Sequence, residues 1–160
     1  MTDMTDMTKL NIRDAKLEDL PILLEFEQAI VETERPNEKN IKQGNVKFYD
    51  LEKLIRSTDS KVLVAEINHQ LIGTGFADIR QSRDYLEDEY HSYLGFMYVD
   101  PQHRGKGINQ LVIQKLIDWS KEKGLTAISL EVLEKNISAV KSYEKVGFEK
   151  VLIEMRMNLK

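Results

Sequence analysis

The chain contains no cysteine. That absence excludes disulfide cross-links, thiolate metal sites and a cysteine nucleophile. Histidine is scarce, and His69, His91 and His103 show no metal-ligand spacing, so no metal is expected. No apolar run approaches the roughly 20 residues of a membrane-spanning helix, so no membrane partner is expected. Positive charge is not in excess: 23 Lys and Arg against 27 Asp and Glu leave a net charge of −4. That balance argues against nucleic acid as the main partner, because such domains are usually basic. The opening MTDMTDMTKL lacks the basic region and apolar core of a secretory signal. Residues 1–8 are expected to be a disordered lead-in, and a cytoplasmic location follows by default.

What is present suits one packed domain. The chain has 160 residues, 41% hydrophobic and 31% charged, enough for one core over residues 9–160. Strands are predicted at 9–15, 61–67, 71–80, 91–100, 126–133 and 148–159, the second and third forming a hairpin through Asn68-His69-Gln70. Helices are predicted at 17–34, 48–57, 105–123 and 136–146. Pro36 and Gly44 break the segment 35–45, and 82–90 reads as an acidic connection. In the helix at 105–123, Ile108, Leu111, Val112, Leu116 and Trp119 line one face, and Gly124 stops it. This alternation predicts a single-domain α/β fold: a mixed, mostly antiparallel central sheet with helices on both faces.

The segment YVDPQHRGKGI, 98–108, places two glycines at a helix start, where Gly costs about 1 kcal/mol relative to Ala. The first N–H groups of a helix have no partner inside it, and the helix dipole adds positive charge there. Glycines let a phosphate approach those groups, and Arg104 and Lys106 add full charges. On spacing alone, a pyrophosphate cradle and a tight turn carrying a solvated basic patch stand level. The Walker pattern is absent, and the third glycine of a dinucleotide fingerprint is missing.

Two motifs in order decide between these. Gln102, Gly105 and Gly107 match Q/R-x-x-G-x-G/A, and Asn136, Ala139, Tyr143, Gly147 and Phe148 match N-x-x-A-x-x-x-Y-x-x-x-G-F. Together with the strand order, they make the chain resemble the GNAT superfamily of acetyl-CoA-dependent N-acetyltransferases over residues 9–159. Asn109 departs from the Gly or Ala that many members carry after the cradle.

The resemblance implies acetyl-CoA as co-substrate. Its pantetheine arm would pair with the splayed strand Phe96–Val99 through main-chain groups of Met97 and Val99, beside Tyr98. Its phosphates would sit on Gln102, His103, Arg104, Gly105, Lys106, Gly107, Ile108 and Asn109. Gly95 is a candidate bulge just before this stretch. Asn136 is a good helix N-cap and, by resemblance, a hydrogen-bond partner of the pantetheine amide. Tyr143 shares its helix face and would be the general acid that protonates the departing thiolate. An alkyl ammonium must lose a proton before it can attack. Glu131, in the strand SLEVL, is the candidate base; burial near the sheet would raise its pKa. A water chain, His91 and Tyr93 are the alternatives.

The acceptor would be a small-molecule amine or a basic peptide. Glu25, Glu27, Glu32 and Glu34, with Asp84, Glu87, Asp88 and Glu89, would attract a cation if they face the cleft, or are a solvated surface if they do not. Two other classes stay open. One is an acyl-CoA-binding sensor or interaction module without turnover. The other is a nucleotide-binding module, against which Lys121, Glu122 and Lys123 fall in a helix where a ribose-binding acid belongs at a strand end. The apolar run VLIEMRMNL permits a homodimer through the C-terminal strand region.

Overall fold

The computed structural model describes residues 9–160. The expected lead-in, 1–8, lies outside the described residues. Strand β1 (Leu10–Asp14) leads into a single 3-10 turn and helix α1 (Leu20–Glu34). Arg13 clamps this junction: its Nη1 lies 2.8 Å from Asp19 Oδ2 and its Nη2 3.0 Å from Oδ1. Pro21 in the first turn of α1 suits a position whose N–H needs no helical partner. A loop and the short helix α2 (Leu51–Arg56) follow, the latter capped by the Asp50 carboxylate. The hairpin β2 (Ser60–Ile67) and β3 (Gln70–Gln81) turns through Asn68 and His69, both at positive φ. Strand β4 (Tyr90–Val99), helix α3 (Ile108–Glu122), strand β5 (Ile128–Leu130) and helix α4 (Ile137–Val146) complete the elements.

The sheet order is β1-β2-β3-β4-β5, antiparallel except for the parallel β4–β5 pair. The expected mixed, mostly antiparallel sheet is therefore present. Helices α1 and α2 cover one face, where Leu23, Phe26, Leu51, Val62, Val64, Phe76 and Phe96 pack together. Helix α3 covers the other, packing Ile108, Val112, Ile113, Leu116 and Trp119 on Leu63, Ala65, Ile72 and Leu94. Within α3 the expected stripe shifts slightly. Leu111 is exposed and Ile113 is buried, because the stripe centres on 112, 116 and 119 and Leu111 falls off its edge at 3.6 residues per turn. Polar contacts also sit in this core: the Ser92 and Ser120 hydroxyls, both fully buried, are 2.7 Å apart, and the buried Thr74 hydroxyl donates to Leu63 O at 2.8 Å.

Two strands differ from expectation. Strand β5 covers three residues rather than eight, because its ladder with β4 ends at Leu94–Leu130. Residues 148–159 form no strand, although Ile153, Met155, Met157 and Leu159 keep a two-residue alternation. Alternation makes a segment able to be a strand, but a strand exists only with a ladder partner. Here the segment pairs with no described strand.

Candidate active site

The site begins with a fault in the β3–β4 ladder. Phe76 pairs with Gly95 and Thr74 with Tyr98, so Phe96 and Met97 together stand opposite Gly75. This is a β-bulge, and Phe96 takes φ +58°, a left-handed conformation uncommon for a bulky residue. Gly95 adjoins the bulge but is not its strained residue. Its need for glycine is steric, since a Cβ would lie 2.6 Å from Phe76 Cζ. Gly75 makes room in the same way for the Met97 side chain, 2.7 Å from its would-be Cβ. The Phe96 N–H donates to the Tyr49 hydroxyl at 3.3 Å. Tyr49 stacks edge-on to Phe76 at 5.0 Å, so the bulge is braced from the helical face. Beyond Leu94 the β4–β5 ladder stops, and the second half of β4, with Met97, Tyr98 and Val99, runs on without β5. Met97, Tyr98 and Val99 therefore have no β5 residue opposite them.

At the end of β4 the chain turns at Asp100, whose N–H donates to Ile72 O and whose carboxylate accepts from Gln102 N at 2.9 Å. Gly105 and Gly107 have φ of +79° and +80°, and a Cβ on either would meet nothing within 4 Å. Both glycines are required by backbone conformation, and both leave open space above the start of α3. The N–H groups of Gly105, Lys106, Gly107 and Ile108 donate to no other group among the described residues. Around them three side-chain atoms are buried without a hydrogen-bond partner: His103 Nδ1, which stands 3.7 Å from Asp100 Oδ1, Lys106 Nζ and Asn109 Oδ1. Orphaned buried polar atoms are rare in folded proteins and call for an explanation. Arg104 is already engaged, donating from Nε to Val99 O at 2.9 Å. Gln102 is exposed, and Ile108 points into the core. The cradle therefore unites open glycines, free N–H groups and an unpaired lysine, which fits an anionic group such as a pyrophosphate.

Helix α4 brings in the second motif. The Asn136 carboxamide oxygen accepts from Ala139 N at 3.3 Å and caps the helix. Its side chain lies beside Glu34, the last residue of α1. Tyr143 is largely buried and meets Phe148 edge-on at 6.0 Å. Burial, reinforced by the negative charge of Glu34 and then by Tyr93, pushes its pKa up to about 12. Tyr49 is pushed up to about 12 as well, mainly by burial. Tyr93 is raised by burial and by Glu131, against the opposing Arg80 guanidinium 3.7 Å above its ring centroid.

The sequence-predicted base stands differently from expectation. Glu131 lies one residue past β5 and is exposed, so it lacks the expected burial. Its negative charge raises the Tyr93 pKa. His91 sits toward the start of β4, its Nδ1 2.9 Å from Ser82 Oγ, and burial and then Arg80 lower its pKa.

The acidic residues separate into two kinds. Glu25, Glu32, Asp84, Glu87 and Glu89 are exposed, and Asp88 accepts from Thr126 at 2.7 Å; these behave as a solvated surface. Glu34 is half-buried beside Asn136 and within the field of Tyr143, with its pKa raised by burial. Glu27 is fully buried. One of its oxygens accepts from Phe48 N and Tyr49 N at 3.0 Å each, which pins the segment carrying Tyr49 to α1. The other oxygen has no partner. Spacing alone could not single out Glu34 and Tyr49, because their partners lie 102 and 47 positions away in the chain.

Comparison with known proteins accords with this geometry. The chain matches the Acetyltransferase (GNAT) family over residues 24–148. It is similar to an uncharacterized N-acetyltransferase of Methanocaldococcus jannaschii, 28% identical over 96 residues, 60% of this chain and 42% of that one. It is also similar to an aminoglycoside N(6')-acetyltransferase type 1 of Stenotrophomonas maltophilia, 27% identical over 90 residues, 53% of this chain and 59% of that one. The chain thus spans less than two thirds of either relative. Among solved structures, a mutant of the BH1408 protein from Bacillus halodurans superposes with a TM-score of 0.83 at 20% identity, covering 94% of this chain and 99% of that one. A protein from Clostridium acetobutylicum, described as a predicted acetyltransferase and solved with acetyl-CoA, superposes with a TM-score of 0.69 at 21% identity, covering 94% and 96%. With a family match across most of the chain, this protein belongs to the acetyltransferase (GNAT) family.

Proposed function

We propose that the protein is an N-acetyltransferase that moves an acetyl group from acetyl-CoA to a primary amine by direct attack. The observation that carries this reading is the cradle beside the end of β4 that has no β5 residue opposite it: two open left-handed glycines, the unpaired Lys106 Nζ and Asn109 Oδ1, and the bulge at Phe96–Met97. Gln102 to Asn109 would hold the diphosphate, and main-chain groups of Met97 and Val99 would pair with the pantetheine arm beside Tyr98. Asn136 would hydrogen-bond the pantetheine amide. The bound co-substrate supplies an activated acyl group.

The chain's own residues then handle protons and orientation. Tyr143 stays protonated throughout neutral pH, because its pKa is pushed up to about 12. Its hydroxyl can donate to the leaving sulfur. The same apolar surroundings raise the pKa of a thiol, so desolvation lifts donor and acceptor together. Backbone N–H groups of the bulged strand would steady the negative charge on the attacked carbonyl oxygen. The amine must arrive neutral or give up a proton in the site. Glu131 remains the base suggested by family resemblance. Glu34 is a second candidate, favoured by its half-buried position against Asn136 and by its field on Tyr143. Its raised pKa brings it closer to the working range of a general base. Glu34 also favours a cationic acceptor, and the similarity to an aminoglycoside acetyltransferase supports a small-molecule amine over a basic peptide.

The test is calorimetric binding of acetyl-CoA, followed by thiol release against polyamines, aminoglycosides, amino acids and basic peptides. Tight binding with release on one amine class is expected. Binding without release on any of them would favour a sensor or interaction module, and no binding would overturn the cradle.

A further inference from the structure

Two neighbouring residues of α1 fix the backbone of the loop that carries Tyr49. Gln28 Nε2 donates to Val46 O at 2.7 Å, and Gln28 Oε1 accepts from Val46 N at 3.4 Å. Glu27, fully buried, takes the Phe48 and Tyr49 N–H groups at 3.0 Å each. The Tyr49 ring then lies against the rings of Phe76 and Phe96, 5.0 and 5.7 Å away. A phenol anchored at its backbone and packed along its ring holds its hydroxyl in one place. That place is the bulge, where Oη accepts from Phe96 N at 3.3 Å. A tyrosine hydroxyl has one proton to give as well as lone pairs to offer. The Tyr49 proton finds no acceptor among the described residues.

The direction of the cleft decides what that proton meets, once acetyl-CoA is taken as the co-substrate, on which this inference rests. The cradle lies beyond the C-terminal end of β4. A co-substrate with its diphosphate there and its arm beside Val99 and Met97 runs back along β4 toward the middle of the strand. It cannot pass Leu94, where β5 already occupies that edge of β4. Its acyl end would therefore stop beside Phe96, the residue whose N–H Tyr49 has taken. That N–H is no longer free for an oxygen of the co-substrate, and the Tyr49 O–H is free in its stead. We infer that the Tyr49 hydroxyl donates a hydrogen bond to the carbonyl oxygen of the bound acetyl group and steadies the negative charge that forms there during attack. The Phe96 N–H polarises the phenol and strengthens it as a donor. A donor held in place before the reaction costs no reorganisation during it. The interaction is a hydrogen bond and no bond to hydrogen breaks: burial pushes the Tyr49 pKa up to about 12, so the proton stays on the phenol. Tyr143 lies within electrostatic reach of Tyr49. The two phenols would thus divide the thioester, Tyr143 serving the sulfur and Tyr49 the oxygen.

The test is difference infrared spectroscopy of the full chain with acetyl-CoA isotopically labelled at its acyl carbonyl carbon. Hydrogen bonding lowers a carbonyl stretching frequency, so Tyr49→Phe should raise the bound band above its wild-type position. A ring-fluorinated tyrosine at position 49 should lower the band below it, because fluorine makes a phenol a stronger donor. Fluorine also makes the phenol oxygen a weaker acceptor, so a role confined to holding the Phe96 N–H predicts no such lowering. If Tyr49→Phe does not fold, the fluorinated protein decides alone. With an amine that is turned over, Tyr49→Phe should lower kcat by about 10²–10³, the usual worth of one such donor, with acetyl-CoA affinity nearly unchanged. A band that the fluorinated ring leaves in place, or an unchanged kcat in Tyr49→Phe, would overturn the role of Tyr49 and leave the transferase reading standing. Failure of the wild type to bind acetyl-CoA would overturn both.

Discussion

Removing the Tyr143 hydroxyl tests both the electrostatics and the chemistry of the site. A tyrosine titrates near 10 when solvated, and burial beside Glu34 pushes Tyr143 up to about 12. The folded state therefore holds this proton more tightly than the unfolded state. A group raised in this way contributes its full stability below the unfolded value and loses it as pH rises toward the folded one. The loss falls between about pH 10 and 12 and approaches ~2.7 kcal/mol, at 1.36 kcal/mol per pKa unit. Tyr49, also pushed up to about 12, adds a similar loss in the same window. Wild type should thus lose on the order of 5 kcal/mol of stability across that window from these two phenols. In Tyr143→Phe about half of that loss should disappear, because no proton is left to release. The ring packing on Phe148 at 6.0 Å is retained, so stability at neutral pH should change little. Urea denaturation at a series of alkaline pH values measures the slope directly. In the same variant, turnover should fall by about 10²–10⁴, the usual worth of a general acid, with acetyl-CoA affinity nearly unchanged. An alkaline stability profile identical to wild type would refute the buried-phenol reasoning. Unchanged turnover would reduce Tyr143 to a packing residue.

Three further outcomes are expected. Gly105→Asp should abolish acetyl-CoA binding by calorimetry, since it sets a carboxylate beside the free N–H groups; its left-handed φ of +79° adds about 1–2 kcal/mol of strain. Gly95→Ala should cost about 1–3 kcal/mol in denaturant titration, because its Cβ must displace the fully buried Phe76 ring on which Tyr49 rests. Glu34→Gln and Glu131→Gln should separate the two candidate bases in a pH–rate profile: the variant that flattens the acid limb identifies the base, and two unaltered profiles would move that role to water.

Much of the fold was legible because the chain repeats simple periods. The apolar spacing of α3 apart from Leu111, the hairpin at Asn68–His69 and the glycine stops at Gly124 and Gly147 follow from local rules and stand in the structure. The left-handed backbone at Gly105 and Gly107 was legible too, since a positive φ is a local feature that the sequence alone can suggest. The site's braces were not. Nothing near Phe96 signals its left-handed backbone; the pattern there drew attention to Gly95, which proves to be a steric gap for Phe76. Glu131 looked buried because it follows an alternating strand, but β5 stops one residue earlier and leaves it in solvent. The last predicted strand failed for a related reason: alternation at 151–159 is local, whereas a ladder partner is not.

By itself, the sequence determined which segments could be helix or strand, where the chain had to turn, and that glycines would expose helix N–H groups beside a lysine. These depend on backbone conformation and side-chain periodicity within a few residues. Tertiary structure alone decided that Glu34 would sit against Asn136 and near Tyr143, that Tyr49 would brace the bulge, and that Glu27 would be sealed inside. Such neighbours meet only when distant segments close onto one sheet, and the charge each group carries depends on the burial that closure creates.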